Sequence, residues 1–136
     1  MQRKPTVLLF ALGIFFVSLA GKSQEYRITN YGISEGITYP FVYTISQDDR
    51  GFVWIGTGMG LCRFDGFKFT TDMVPDTLSG QVVGASFKDS SGALWFGYQS
   101  GNIVRYNGKS FELISAGAEI NSSITGFAEL TDGIIL

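Results

Sequence analysis

The chain has no histidine, one cysteine and three prolines, and only 16% of its 136 residues are charged. Without histidine it lacks the commonest general base and the commonest zinc ligand. With Cys62 alone, no disulfide can close within the chain, and a single cysteine in an apolar run reads as a small core residue. No cluster of lysine and arginine is present and the net charge is −2, which argues against nucleic acid and against anionic membrane surfaces as partners. Beyond the first 20 residues no stretch keeps a 3.6-residue apolar period, which excludes a helical domain. No carboxylate pair stands out for glycoside hydrolysis, and no glycine motif of the phosphate-cradling kind is found. Asp48, Asp49, Asp89 and Asp132 stand before turn glycines. Each turn offers one or two carboxylates, short of a calcium loop, so they read as turn caps. The sequence therefore points to no catalytic residue, no metal and no cofactor.

What the chain does have is 18 glycines and 15% aromatic residues, a mix that suits short strands and tight turns. The stretch Gln47–Phe69 shows the pattern. Asp49-Arg50-Gly51 reads as a turn, Phe52–Thr57 as a strand buried on both faces, Gly58-Met59-Gly60 as the next turn and Leu61–Phe64 as a second strand. Asp65-Gly66 is the strongest hairpin signal, with a further strand after it. The unit then repeats 41 positions on: Gly51 maps to Gly92, Trp54 to Trp95 and Gly56 to Gly97. One extra residue near Asn102 makes the shift 42, so that Arg63 maps to Arg105 and Phe69 to Phe111. A third copy begins near Ile124 and reaches Thr131-Asp132-Gly133.

Taken in order, the strand candidates are Phe41–Gln47, Phe52–Thr57, Leu61–Asp65 and Phe67–Thr70, then Gln81–Lys88, Ala93–Tyr98, Ile103–Asn107 and Lys109–Ile114, with Ile124–Leu130 opening the third copy. Thr71–Gly80 reads as a polar connection. Four antiparallel strands per period of about 41 residues is the arithmetic of a β-propeller blade. The expected fold is all-β, about two and a half blades, with repeats near residues 41–80, 81–121 and 122–136 of a partial propeller spanning 24–136. A blade cannot cover its own apolar faces, so Trp54 and Trp95 are expected between neighbouring blades, with Gly56 and Gly97 allowing close approach and Gly51 and Gly92 making the turns.

Residues 1–23 read as a secretory signal peptide. Arg3 and Lys4 precede the 14-residue apolar run Val7–Ala20, and small residues follow. The run is short for a membrane span of about 20 residues. Cleavage is expected between Ala20 and Gln24, which places the rest of the chain outside the cytoplasm. Losing Arg3, Lys4 and Lys22 takes the net charge from −2 to −5. Glu25–Tyr31 alternates and reads as a short strand placed to close a ring.

The core Gln47–Gly66 (QDDRGFVWIGTGMGLCRFDG) and the preceding Tyr31–Ile37 (YGISEGI) resemble the two-component regulator propeller family. The likeness runs over roughly residues 25–136. Its second copy departs at Tyr98-Gln99-Ser100, where the first has Thr57-Gly58-Met59. The resemblance implies the start of the periplasmic sensor region of a hybrid two-component histidine kinase of the Bacteroidetes type. In that family seven-bladed rings are followed by a β-sandwich, a membrane helix and a kinase core, and many members sense glycan fragments; a dimer is an expectation for the full-length protein alone. The expectation is thus an N-terminal fragment of a ligand-sensing propeller, not itself an enzyme, whose partners are the remaining blades and an oligosaccharide. The alternatives are a fragment of an exported propeller lyase or glycosidase, or a protein-binding scaffold. For a ligand, Thr38, Tyr39 and Tyr98 form an aromatic-and-hydroxyl set on loops. The spacing Asp49-x-Gly51-x-x-Trp54 is also similar to the Asp-box of sialidase propellers, but Ser90 breaks it in the second copy. Arg63 and Arg105 recur at one repeat position, which favours a structural role.

Overall fold

The computed structural model describes residues 25–71, 73–115 and 121–130. The expected signal peptide, Asp132 and Thr131–Leu136 lie outside the described residues. The chain divides into two units, Met1–Asn30 and Tyr31–Leu136. In the first, residues 25–30 are irregular, and the strand expected at Glu25–Tyr31 does not form. Alternation makes a strand only where a neighbouring edge takes up its backbone groups.

Among the described residues the second unit holds eight strands: β1 (Val42–Gln47), β2 (Val53–Thr57), β3 (Gly60–Phe64), β4 (Phe69–Thr70), β5 (Val83–Lys88), β6 (Leu94–Tyr98), β7 (Ile103–Tyr106) and β8 (Phe111–Ser115). They form two four-stranded antiparallel sheets, β1-β2-β3-β4 and β5-β6-β7-β8, each in chain order. The fold is all-β and the sheets are propeller blades. The two copies agree in register: Trp54 stands across from Arg63, and Trp95 from Arg105. Both first strands also slip by one residue at the same place, between Val42 and Thr44 and between Val83 and Ala85. The extra residues are Tyr43 and Gly84.

The apolar core lies between the sheets. Trp54, 1% exposed, presents its ring to Phe96, Tyr106 and Phe111 of the second sheet at 5.9, 4.7 and 5.5 Å between centroids. Leu94, Phe96, Tyr98, Val104 and Val83 complete this layer. The connection after β4 is not merely polar. A 3-10 turn at Asp76–Leu78 drives Leu78 into the same layer, with Met73 and Val74 packed at its edge. The matching segment before β1, with a 3-10 turn at Ile33–Glu35, covers part of the other face of the first sheet. There Tyr31 packs on Phe64 and Phe69 at 5.0 and 5.7 Å.

Close approach of the blades depends on one glycine per repeat. A Cβ on Gly56 would stand 2.5 Å from Thr44 Cγ2 and 2.9 Å from the Val83 carbonyl oxygen, and one on Gly97 would stand 2.3 Å from Ile124 Cγ2. Val83 and Ile124 are themselves one repeat apart. The third copy thus begins to dock as the second does: Ile124 N donates to Tyr98 O at 3.1 Å, and Phe127 packs on Trp95 at 6.5 Å. Residues 124–130 form no strand, only a single bridging residue at Glu129. Their polar contacts keep the repeat position while changing its chemistry. Lys88 reaches Asp49 at 2.5 Å, whereas Glu129, one repeat on, accepts from Ser90 N and Ser90 Oγ at 2.9 and 2.7 Å.

Candidate functional site

Antiparallel order sorts the turns onto two ends of the sheets. The β1–β2, β3–β4, β5–β6 and β7–β8 turns share one end. The β2–β3 and β6–β7 turns and the segments entering β1 and β5 share the other.

At the first end each of the two four-stranded sheets carries a latch. Asp48 Oδ1 accepts from the backbone N–H of Arg50 and Phe52, and Oδ2 from the indole N–H of Trp54, all at 3.0 Å. Asp89 repeats this with Ser91 N and Ala93 N at 2.9 Å and Trp95 Nε1 at 2.7 Å. Gly51 and Gly92 close these turns at φ +87° and +85°, values that side chains avoid. Burial alone would push the Asp89 carboxyl up. The Ser91 hydroxyl, the Trp95 indole and the N–H groups of Ala93 and Ser91 outweigh it and hold the carboxyl below the ordinary 3.8. The stability this adds is present above the unfolded value and is lost as pH falls toward the folded one. The aspartate that matters is therefore Asp48, not Asp49, and the spacing Asp-x-x-Gly-x-x-Trp is unbroken in both copies. Arg63 and Arg105 lie over the rings they pair with, Arg63 at 4.3 Å from Phe52 and 5.8 Å from Trp54, and Arg105 at 5.7 Å from Trp95. Cys62 is buried and its thiol is pushed up by that burial, partly offset by hydrogen bonds with Thr38.

At the second end the loop residues expected at a ligand behave differently from one another. Thr38 Oγ1 lies 3.0 Å from Thr57 Oγ1, and the Tyr39 ring lies so close over Gly58 that a Cβ there would meet it at 2.7 Å. Tyr98 is 0% exposed, inside the layer between the sheets, and its hydroxyl has no partner among the described residues. Burial raises its pKa far above the ordinary value. Thr38 and Tyr39 thus stay at the loop end while Tyr98 turns inward. We expect Tyr98→Phe to keep or raise stability, by up to about 1 kcal/mol, because it removes a buried hydroxyl that is not hydrogen bonded. Denaturant melts of the two proteins test it, and a loss above about 1 kcal/mol would contradict the unpaired hydroxyl.

The same end holds a cleft of about 330 Å³ lined by Tyr43, Val82, Gly84, Gln99, Ser123, Ile124 and Thr125. Tyr43, Gly84 and Thr125 occupy one repeat position in three successive copies, and Val82 and Ser123 occupy another. Tyr43 and Gly84 are also the extra residues where the first strands slip, a feature that re-aims side chains. No charged residue lines the cleft. The signal for it in the sequence is a repeat position whose residue changes from tyrosine to glycine to threonine within an otherwise repeated frame. Among the described residues no group of acidic, cysteine or histidine side chains could hold a metal ion.

The latch turn, its tryptophan and the glycine of close approach all fall within residues 36–59, and that segment matches the model of the family described as two component regulator propeller. Residues 36–59 are thus similar to a two component regulator propeller repeat. The match begins at Gly36 ahead of β1 and ends in the β2–β3 turn at Met59, so it contains Asp48, Gly51, Trp54 and Gly56 together. The second sheet repeats the same frame 41 residues on, with its own latch and its own glycine. No curated protein matches the chain.

Proposed function

We propose that this chain is part of the exported, ligand-sensing propeller region of a hybrid two-component sensor, that it is not itself catalytic, and that it responds to a neutral glycan fragment. The observation that carries the reading is the uncharged cleft at the second end, where successive repeats offer Tyr43, Gly84 and Thr125 at one position beside Gln99. An aromatic ring with amide and hydroxyl groups suits the apolar face and the hydroxyls of a sugar. Asp48, Asp49 and Asp89 stand at the opposite end of the sheets, where Asp48 and Asp89 hold their turns and Asp49 pairs with Lys88. Export rests on the basic start and apolar run of residues 3–20.

Calorimetric titration of the protein with a panel of neutral oligosaccharides tests the reading. A binder should appear, and Tyr43→Ala should weaken it about tenfold, on the order of 1.4 kcal/mol. No binding by any neutral oligosaccharide at millimolar concentration, or binding that ignores Tyr43→Ala, would overturn it.

A further inference from the structure

Asn107-Gly108 lies in the β7–β8 turn at the latch end, and it is the one place in the chain where glycine follows asparagine. The first sheet has Asp65-Gly66 at the same repeat position, in its β3–β4 turn. The two turns are built alike. Asp65 Oδ1 accepts from Phe67 N and Lys68 N at 2.8 Å, and Asp65 N donates to Lys68 O at 3.2 Å. Asn107 Oδ1 accepts from Lys109 N and Ser110 N at 3.0 Å, and Asn107 N donates to Ser110 O at 3.3 Å. Gly66 and Gly108 take φ +98° and +89°. The frame of this turn therefore already accommodates an aspartate in the first sheet.

Four features of the second turn favour attack by the Gly108 nitrogen on Asn107 Cγ. The Gly108 N–H makes no hydrogen bond among the described residues, so solvent can take its proton. Nothing crowds Gly108, since a Cβ there would meet no heavy atom within 4 Å. Asn107 is exposed, so a leaving group passes directly to water. Its Oδ1, where negative charge builds as Cγ becomes tetrahedral, already faces two backbone N–H donors.

We propose that Asn107 is a site of spontaneous deamidation through a five-membered imide closed by Gly108. The Gly108 nitrogen gives its proton to hydroxide and bonds to Asn107 Cγ. The Cγ–Nδ2 bond breaks, and Nδ2 takes a proton from water and leaves as ammonia. Water then opens the imide. Cleavage of the new bond to Cγ gives an ordinary aspartate, and cleavage of the original peptide bond gives isoaspartate, whose backbone is longer by one carbon. The aspartate product keeps the turn as Asp65 does and adds a negative charge next to Lys109. The isoaspartate product inserts its carbon between Tyr106 and Phe111, which pair across β7 and β8 and both pack on Trp54. It therefore loosens the layer between the sheets. None of this involves the cleft at Tyr43, which lies at the opposite end.

Peptide mapping by mass spectrometry tests the proposal on the folded chain aged in mildly alkaline buffer, beside the same chain unfolded in urea. In the folded chain the peptide holding Asn107 should gain the mass difference between an amide and an acid. It should do so about tenfold faster than the peptide holding Asn102, whose follower Ile103 is β-branched and crowds the attacking nitrogen. Raising the pH should speed the change, because hydroxide removes the N–H proton. Asn107→Asp should abolish the mass gain and keep the parent's denaturant midpoint, whereas aged protein enriched in isoaspartate should unfold at lower denaturant. No gain at Asn107 in the folded chain while the unfolded chain converts, another asparagine converting as fast, or a lowered midpoint for Asn107→Asp would each overturn the proposal.

Discussion

Trp54→Ala should remove about 3–5 kcal/mol of stability, the range for deleting a large aromatic side chain from a packed core. Trp54 is 1% exposed and touches three rings of the neighbouring sheet, so its loss leaves a cavity bordered by Phe96, Tyr106 and Phe111. These rings belong to strands that cannot collapse inward without breaking their own ladder. The indole also satisfies Asp48, so truncation strands part of that carboxylate's hydrogen bonding. Trp95 sits at the same repeat position but is only half-buried, with Phe127 as its ring neighbour at 6.5 Å. Trp95→Ala should therefore lose less, about 1–2 kcal/mol. Urea unfolding followed by circular dichroism separates the two. Equal losses would mean that packing between the two sheets is not what Trp54 supplies.

Asp48→Ala should be the next most damaging change, at about 3 kcal/mol, because it leaves two turn N–H groups and a buried indole N–H without their charged acceptor. Asp49→Ala, one residue away, should lose less than about 1 kcal/mol, since its carboxylate is exposed and only pairs with Lys88. Asp48→Asn is the informative intermediate. Its amide oxygen can still accept the turn N–H groups, but its NH₂ then faces the indole N–H, donor against donor. Denaturant midpoints for the three variants, in the order Asp49→Ala, Asp48→Asn, Asp48→Ala from mild to severe, check the latch. Asp49→Ala as damaging as Asp48→Ala would place the acceptor on the wrong residue.

The sequence by itself determined the number and order of strands. Eight of the nine strands expected from Phe41 onward form, with bounds within about two residues, because period-two apolar runs between glycine turns leave the backbone few other ways to pair. The internal repeat also carried the blade architecture, since a four-strand unit with two apolar faces requires a neighbour. Three matters were decided only by tertiary structure. Which aspartate holds the turn depended on where the indole N–H points, and the sequence offers Asp48 and Asp49 side by side. Tyr98 read as a loop residue because it replaces Thr57 of the first copy at the start of a turn. Strand β6 directs it between the sheets, where its ring fills space and its hydroxyl finds no partner among the described residues. Leu78 read as part of a polar connection, yet the 3-10 turn places it in the apolar layer. The cleft at the second end was beyond the sequence for the same reason. Tyr43, Gly84 and Thr125 are 41 residues apart along the chain. Only the stacking of one blade on the next brings them to a common wall.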